Sequence, residues 1–188
     1  MIVIGNGQSR KKINLNNYNE LKIGCNAIIR DYHVDHLVCC DKKMVKQALA
    51  QGFSPIYTRD RWASDFDSPH VMKLPALPYR GDNRMDEPFH WGSGPYAVLL
   101  ATFLSKYIKI IGFDLYGIDG KLNNIYNDTS GYQKNTDDQV DWSYWVYQIA
   151  KIFELNQDKT FHIYNLEDWK LPKQWNFSNI KVDNIVNL

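Results

Sequence analysis

The sequence predicts an α/β fold in which a mainly parallel sheet is flanked by helices, within a single domain covering residues 1–188. Three observations predict it. Short apolar runs of strand length alternate with helix-compatible segments along the chain. The strongest runs read as buried, as strands covered on both faces do. No internal repeat or linker interrupts the pattern, and 188 residues suffice for one core.

Taken in order, "MIVIG" (1–5), "LKIGCN" (21–26) and "HLVCCD" (36–41) read as three strands. "KKMVKQALAQG" (42–52) reads as a short helix closed by Gly52. "SPIYTRD" (54–60) is a fourth strand; residues 61–92 hold four prolines and many charges without periodicity, save a strand-like "HVMKLP" (70–75). "SGPYAVLLATFLSKY" (93–107) is a strongly apolar helix, with Ser93 placed to cap it and Pro95 suited to its first turn. "IKIIGFDLYG" (108–117) is a buried strand, followed by a loop rich in Asn, Asp, Gly and Tyr. "DDQVDWSYWVYQIAKIFEL" (137–155) reads as an amphipathic helix and "TFHIYNL" (160–166) as a strand; the tail from Trp169 carries no clear pattern.

Composition narrows the function. A net charge of +1 gives no electrostatic case for a nucleic-acid or membrane-surface partner. No apolar run approaches the ~18 to 20 residues of a membrane span. The start enters a strand directly, and the three cysteines, Cys25, Cys39 and Cys40, make a poor disulfide framework; both observations predict a cytoplasmic protein. The wealth of Asn, Lys and Ile suggests an AT-rich bacterial or phage genome.

In parallel sheets, ligands bind beyond the carboxyl ends of the strands. That rule selects Asn6, Gly7 and Ser9; Asn26; Asp41; and Asp114 and Tyr116. It adds the N-terminus of the helix at Ser93, whose free N–H groups suit a phosphate. The set contains no lysine and suits uncharged hydrogen bonding to a ribose, a base or a phosphate. "GNGQSR" (5–10) lacks the third glycine of a dinucleotide fingerprint and the G-K-[ST] of a P-loop, so it is either a nucleotide cradle or a tight corner. "DFD" (65–67) has the form of a metal-binding D-x-D but follows no apolar strand, and "HVDH" (33–36) with Cys39 and Cys40 fits no usual zinc spacing. No metal site is predicted. His90, just before the Ser93 helix, is a candidate to contact an anion or move a proton.

Four segments in order carry a resemblance: "VIGNGQS" at the start, "GCN" at 24–26, "SGPYAVLLATFLSKYIKIIGFDLY" at 93–116 and "GYQKNTD" at 131–137. With them the chain resembles the bacterial sialyltransferases of glycosyltransferase family 42, which include the Campylobacter lipooligosaccharide enzymes. It is also similar to the related 6-hydroxymethylpterin diphosphokinase-like proteins. The resemblance implies a Rossmann-like domain, a GT-A-like variant, that binds a CMP-sugar, needs no metal or other cofactor, and transfers sialic acid with inversion. It implies Asn6, Gly7 and Ser9 in the nucleotide loop, Asn26 on the nucleotide or donor sugar, and Asp41 where the family has an asparagine. Ser93 and Gly94 would hold the nucleotide at the helix N-terminus, and Tyr116 and Tyr126 would hydrogen-bond the departing phosphate. Family members often form homo-oligomers.

Two further positions depart from that pattern: Tyr132 stands where the family has its general-base histidine, and His90 where it has an arginine near the phosphate. The expected function is a small sialyltransferase-like glycosyltransferase using a nucleotide-activated sugar, with His90, Asp114 or Tyr132 handling the proton. The alternatives are a nucleotide-binding module that has lost its base, and a Mg²⁺-dependent pyrophosphokinase-like enzyme.

Overall fold

Runs of isoleucine and valine without polar interruption suit strands covered on both faces. The computed structural model of the chain, which describes residues 1–188, places them at the centre of one eight-stranded sheet. The strands are β1 (Ile2–Ile4), β2 (Lys22–Cys25), β3 (His36–Val38), β4 (Ile56–Thr58), β5 (Val71–Lys73), β6 (Tyr107–Ile111), β7 (Thr160–Asn165) and β8 (Ile180–Asn184). Their order is β5-β4-β3-β2-β1-β6-β7-β8, and every neighbouring pair is parallel. The fold is therefore the α/β, Rossmann-like single domain that the alternation predicts.

The helices are α1 (Lys42–Ala50), the short α2 (Asp60–Ala63), α3 (Ser93–Leu104) and α4 (Ser143–Leu155). Alternation along each strand sends successive side chains to opposite faces. Val3, Ile23, Val38, Ile110 and Ile163 join the core beneath α3 and α4. Ile2, Ile4, Leu37 and Ile56 join the other, with Val45 and Ala48 of α1. Nine of the twelve residues of α3 are buried, so it lies as a central helix rather than an amphipathic cover.

Four details differ from the sequence reading. The strand expected at 108–117 ends at Ile111, because Gly112 takes a φ of 68° and turns the chain away. The helix expected from 137 begins at Ser143, after a loop whose Asp141 carboxylate accepts the Ser143 N–H. Ser93 does not cap its helix: the N-cap is Gly92 and the Ser93 hydroxyl is turned to other strands. The patternless tail contains β8, an edge strand in register with β7 from Phe161↔Ile180 to Asn165↔Asn184.

The chain steps outward from β1 to β5, then crosses back through α3 to place β6 on the other side of β1. The carboxyl ends of β1 and β6 thus form the topological switch point, where parallel sheets open a crevice. Here the backbones meet through glycine. The Gly5 N–H bonds the Ile111 carbonyl at 2.8 Å and the Gly7 N–H bonds the Gly112 carbonyl at 2.9 Å. A Cβ on Gly112 would lie 2.7 Å from the Gly5 carbonyl oxygen.

Gly112→Ala therefore combines a backbone clash with left-handed strain and is predicted to cost about 3 kcal/mol, read from the urea midpoint. Gly120 has a similar φ of 73° but open space around it. Gly120→Ala is the control and should cost about 1 kcal/mol.

Candidate functional site

The crevice beyond the carboxyl ends of β1, β2, β3 and β6 holds a cavity of about 400 Å³. Its wall includes eight of the candidates: Asn6, Gly7, Asn26, Asp41, Ser93, Gly94, Asp114 and Tyr132. Residues far apart in sequence converge here because each follows the end of a strand or opens a helix.

The first corner, Gly5-Asn6-Gly7, is tight for a reason outside itself. A Cβ on Gly7 would fall 2.5 and 2.6 Å from the two carboxylate oxygens of Asp114. Ser9 grips that carboxylate from behind: its N–H donates to Oδ2 at 2.9 Å, and its hydroxyl donates to Oδ1. Ser9 and Asp114 are both buried. Both carboxylate oxygens are thus engaged, which makes Asp114 the anchor between the first loop and the end of β6 rather than a free proton acceptor. Asn6 faces the crevice, and its amide donates to the Cys25 carbonyl at 3.3 Å and the Tyr132 hydroxyl at 3.4 Å.

The second anchor is Ser93. Its Oγ accepts the Cys40 N–H at 2.9 Å and donates to Asn26 Oδ1 at 3.0 Å. The first residue of α3 is thereby fastened to the ends of β2 and β3. Asn26 sits at a φ of 51°, a left-handed conformation that asparagine tolerates. The first turn of α3 is closed by the Tyr96 N–H on the Gly92 carbonyl at 3.2 Å. Pro95 has no N–H, and the N–H groups of Ser93 and Gly94 have no protein acceptor, so the positive end of the helix opens onto the cavity.

Tyr132 presents its hydroxyl beneath Asn6 and Ala27, whose N–H groups both point to its oxygen. Burial pushes this phenol up to about 12, against the pull of the Ala27 N–H. At neutral pH it is a hydrogen-bond donor, not a base. Asp41 caps α1, accepting the Lys43 N–H on Oδ1 at 2.8 Å, and keeps its second oxygen unbonded.

Four candidates do not line the cavity: Ser9, which grips Asp114 from behind, and His90, Tyr116 and Tyr126. His90 sits with Nε2 3.3 Å from Glu87 and 3.2 Å from the Arg84 Nε, on the 3-10 turn before α3. The Tyr116 hydroxyl donates to the Lys170 carbonyl at 3.0 Å while its ring meets Trp142. Tyr126 lies in the core under the other face, accepting from Arg10 and donating to Asp31 at 2.7 Å. Residues that sequence reasoning missed take their places: Arg59 at the end of β4, Asn123, Asn124, Gln133 and Gln139 from the long loop, and Trp145 of α4. The carboxyl-end rule applied to "SPIYTRD" would have found Arg59; the loop residues carry no such signal.

Neither suspected metal motif gathers ligands. Asp65 pairs with Lys42, His33 packs on Phe53, and no group of three His, Cys, Asp or Glu side chains is arranged to hold a metal ion.

The buried tyrosines and thiols give a prediction. Tyr96, Tyr126 and Tyr132 are all raised by burial above the ordinary tyrosine value of 10.0, and Cys40 is pushed up to about 11 from 9.0. A raised folded value means stability is complete below the unfolded value and is lost as pH rises through the folded one. The thermal midpoint should therefore begin to fall near pH 9 and drop steeply between pH 10 and 12. Tyr132→Phe should flatten the upper part of that fall. No family model, curated protein or solved structure matches the chain.

Proposed function

We propose that the protein is a small glycosyltransferase-like enzyme that binds a nucleotide-activated sugar, CMP-linked in the first instance, in this cleft and transfers the sugar with inversion. The observation that carries the reading is the open N-terminus of α3, bolted by Ser93 to Asn26 and Cys40 at the switch point of a parallel sheet. Such an end is suited to a phosphate. In this reading the Ser93 and Gly94 N–H groups hold the phosphate, and Asn6 and Asn26 contact the nucleoside. Tyr132 stays protonated and donates to the phosphate oxygen as the glycosidic bond breaks, stabilising the charge that develops there.

Inversion also needs a base to take the acceptor's proton. His90 is outside the lining, Asp114 is bound by Ser9, and Tyr132 is pushed away from ionisation. Asp41 is the lining carboxylate with an oxygen to spare, and it takes that role here. The pyrophosphokinase-like alternative is a poor fit. Mg²⁺ chemistry uses several free carboxylate oxygens, whereas Asp41 and Asp114 are the acidic residues of the lining and Asp114 is spent. A nucleotide-binding module without catalysis is favoured by one observation, the absence of histidine from the lining.

Calorimetric titration with CMP, UMP, GMP and AMP, each with and without Mg²⁺, tests the reading. Selective, metal-independent CMP binding is expected, weakened about 10-fold in Asn26→Gly, which keeps the left-handed backbone but removes the amide. Binding to none of the four sinks it. Release of CMP from a CMP-sugar then separates enzyme from module. Asn is as good an N-cap as Asp, so Asp41→Asn should keep α1 and CMP binding while lowering transfer at least 100-fold.

A further inference from the structure

We infer that Arg59 is the specificity-determining residue of the cleft: its guanidinium selects ligands that carry a phosphate group and sets the preference for a nucleotide over its nucleoside. The inference rests on the ligand reading above and adds to it a residue outside the set the sequence pointed to.

Arg59 follows β4 directly, and its guanidinium is clamped rather than mobile. The guanidinium carbon lies 4.5 Å from the Trp62 ring centroid and 5.2 Å from that of Phe89. Its Nη2 donates to the Trp91 carbonyl at 2.8 Å. Trp91 is wholly buried and immediately precedes Gly92, the N-cap of α3. The guanidinium is therefore held beside the open end of that helix. It is the one cation among the residues lining the cavity.

This cation has no carboxylate partner: the ion pairs of the chain do not include it. Of the two acidic residues of the lining, Asp114 is held by Ser9, and Asp41, which caps α1 through Oδ1, forms no ion pair with Arg59. Its Nε is buried and unpartnered as well. A cation beside the positive end of a helix is unfavourable, since the helix N-terminus attracts negative charge and repels positive. Two positive features facing one cavity, with no carboxylate paired to the guanidinium, leave a deficit that an anionic ligand relieves. The same charge lies close enough to favour ionisation of the Cys40 thiol and the Tyr96 phenol, against the stronger upward push of burial.

The aromatic clamp also explains why arginine rather than lysine stands here. A planar guanidinium stacks between rings and offers a rigid fork to phosphate oxygens, whereas an ammonium offers neither. The rotamer entropy that such a side chain would lose on binding has already been given up to Trp62, Phe89 and Trp91.

The test compares CMP, cytidine and inorganic pyrophosphate on the intact chain and on Arg59→Gln and Arg59→Lys. Far-ultraviolet dichroism and thermal midpoints first establish which variants fold. The intact chain should bind CMP about 10- to 100-fold more tightly than cytidine, the worth of one charge-assisted contact. Arg59→Gln should cut that ratio about 10-fold by weakening CMP alone, leaving what the Ser93 and Gly94 N–H groups supply, and Arg59→Lys should lower it less. If Arg59→Gln does not fold, Arg59→Lys carries the decision: a reduced CMP-to-cytidine ratio upholds the inference and an unchanged one overturns it. An unchanged CMP-to-cytidine ratio in a folded variant overturns the inference and leaves the nucleotide reading standing. Pyrophosphate binding that depends on Arg59, with no nucleotide bound, upholds phosphate selection and removes the nucleotide reading. Binding of neither pyrophosphate nor any nucleotide overturns both.

Discussion

Two neighbouring strands whose connections leave in opposite directions part at their carboxyl ends, and the gap between them is the natural ligand crevice of a parallel sheet. In this protein the width of that gap is set by Gly5 and Gly112, whose backbones approach so closely that neither side accepts a side chain. Beyond them the gap is bridged by the Gly7 N–H on the Gly112 carbonyl and by the Asp114 carboxylate gripped by Ser9. Gly7 lacks a side chain because Asp114 fills the space one would need. "GNGQSR" is therefore first a corner and only in part a cradle. Gly5 and Gly7 make a corner between β1 and β6, Ser9 locks it, and Asn6 alone of the four offers a polar side chain to the cleft.

The same division of labour holds across the site. Asp114, Ser9 and Ser93 are spent on structural bonds, and the first N–H groups of α3, one Asp41 oxygen and the Asn6 carbonyl oxygen are left without partners. Arg10 is 2% exposed, yet its guanidinium bonds the Tyr126 hydroxyl, lies 3.6 Å from Asp31 and stacks near Tyr32. Tyr126 in turn meets the Tyr132 ring at 5.5 Å. Tyr132 is thus backed by a rigid aromatic and cationic layer that reaches down to the far core. Losing one member of such a layer strands the others without partners, which is why buried polar networks position neighbouring residues strongly.

How much of this was legible in the sequence follows from what kind of contact carried each feature. The inner strands were readable because burial on both faces demands uninterrupted apolar residues, as "IVI" and "IKII" show. The edge strand β8 was not, because Lys181 and Val182 face solvent and nothing constrains them to be apolar. Eight site candidates line the cavity because each stands at a strand end or a helix start, positions that a one-dimensional pattern marks. Ser9 and Asp114 were picked as ligand groups, but their pairing spans 105 residues and only the folded chain brings them together. Ser93 illustrates the same limit: a serine before an apolar run reads as a cap, while its hydroxyl serves β2 and β3 instead.

The chemistry the cleft can support is decided by which groups remain free once these structural bonds are made. Removing Asp114, Ser9 and Ser93 from the reactive inventory leaves donors in excess: the helix N–H groups, the Tyr132 hydroxyl held neutral by burial, and a clamped guanidinium. Against them stands one partly free carboxylate, Asp41. A site so weighted is complementary to an anion whose charge grows during the reaction, since every preorganised donor then gains without rearrangement. It is poorly matched to holding a divalent metal, which needs the opposite excess. In the proposed reaction, departure of a phosphate leaving group draws on the donors and transfer of the acceptor's proton draws on Asp41, so both sides of that imbalance are used.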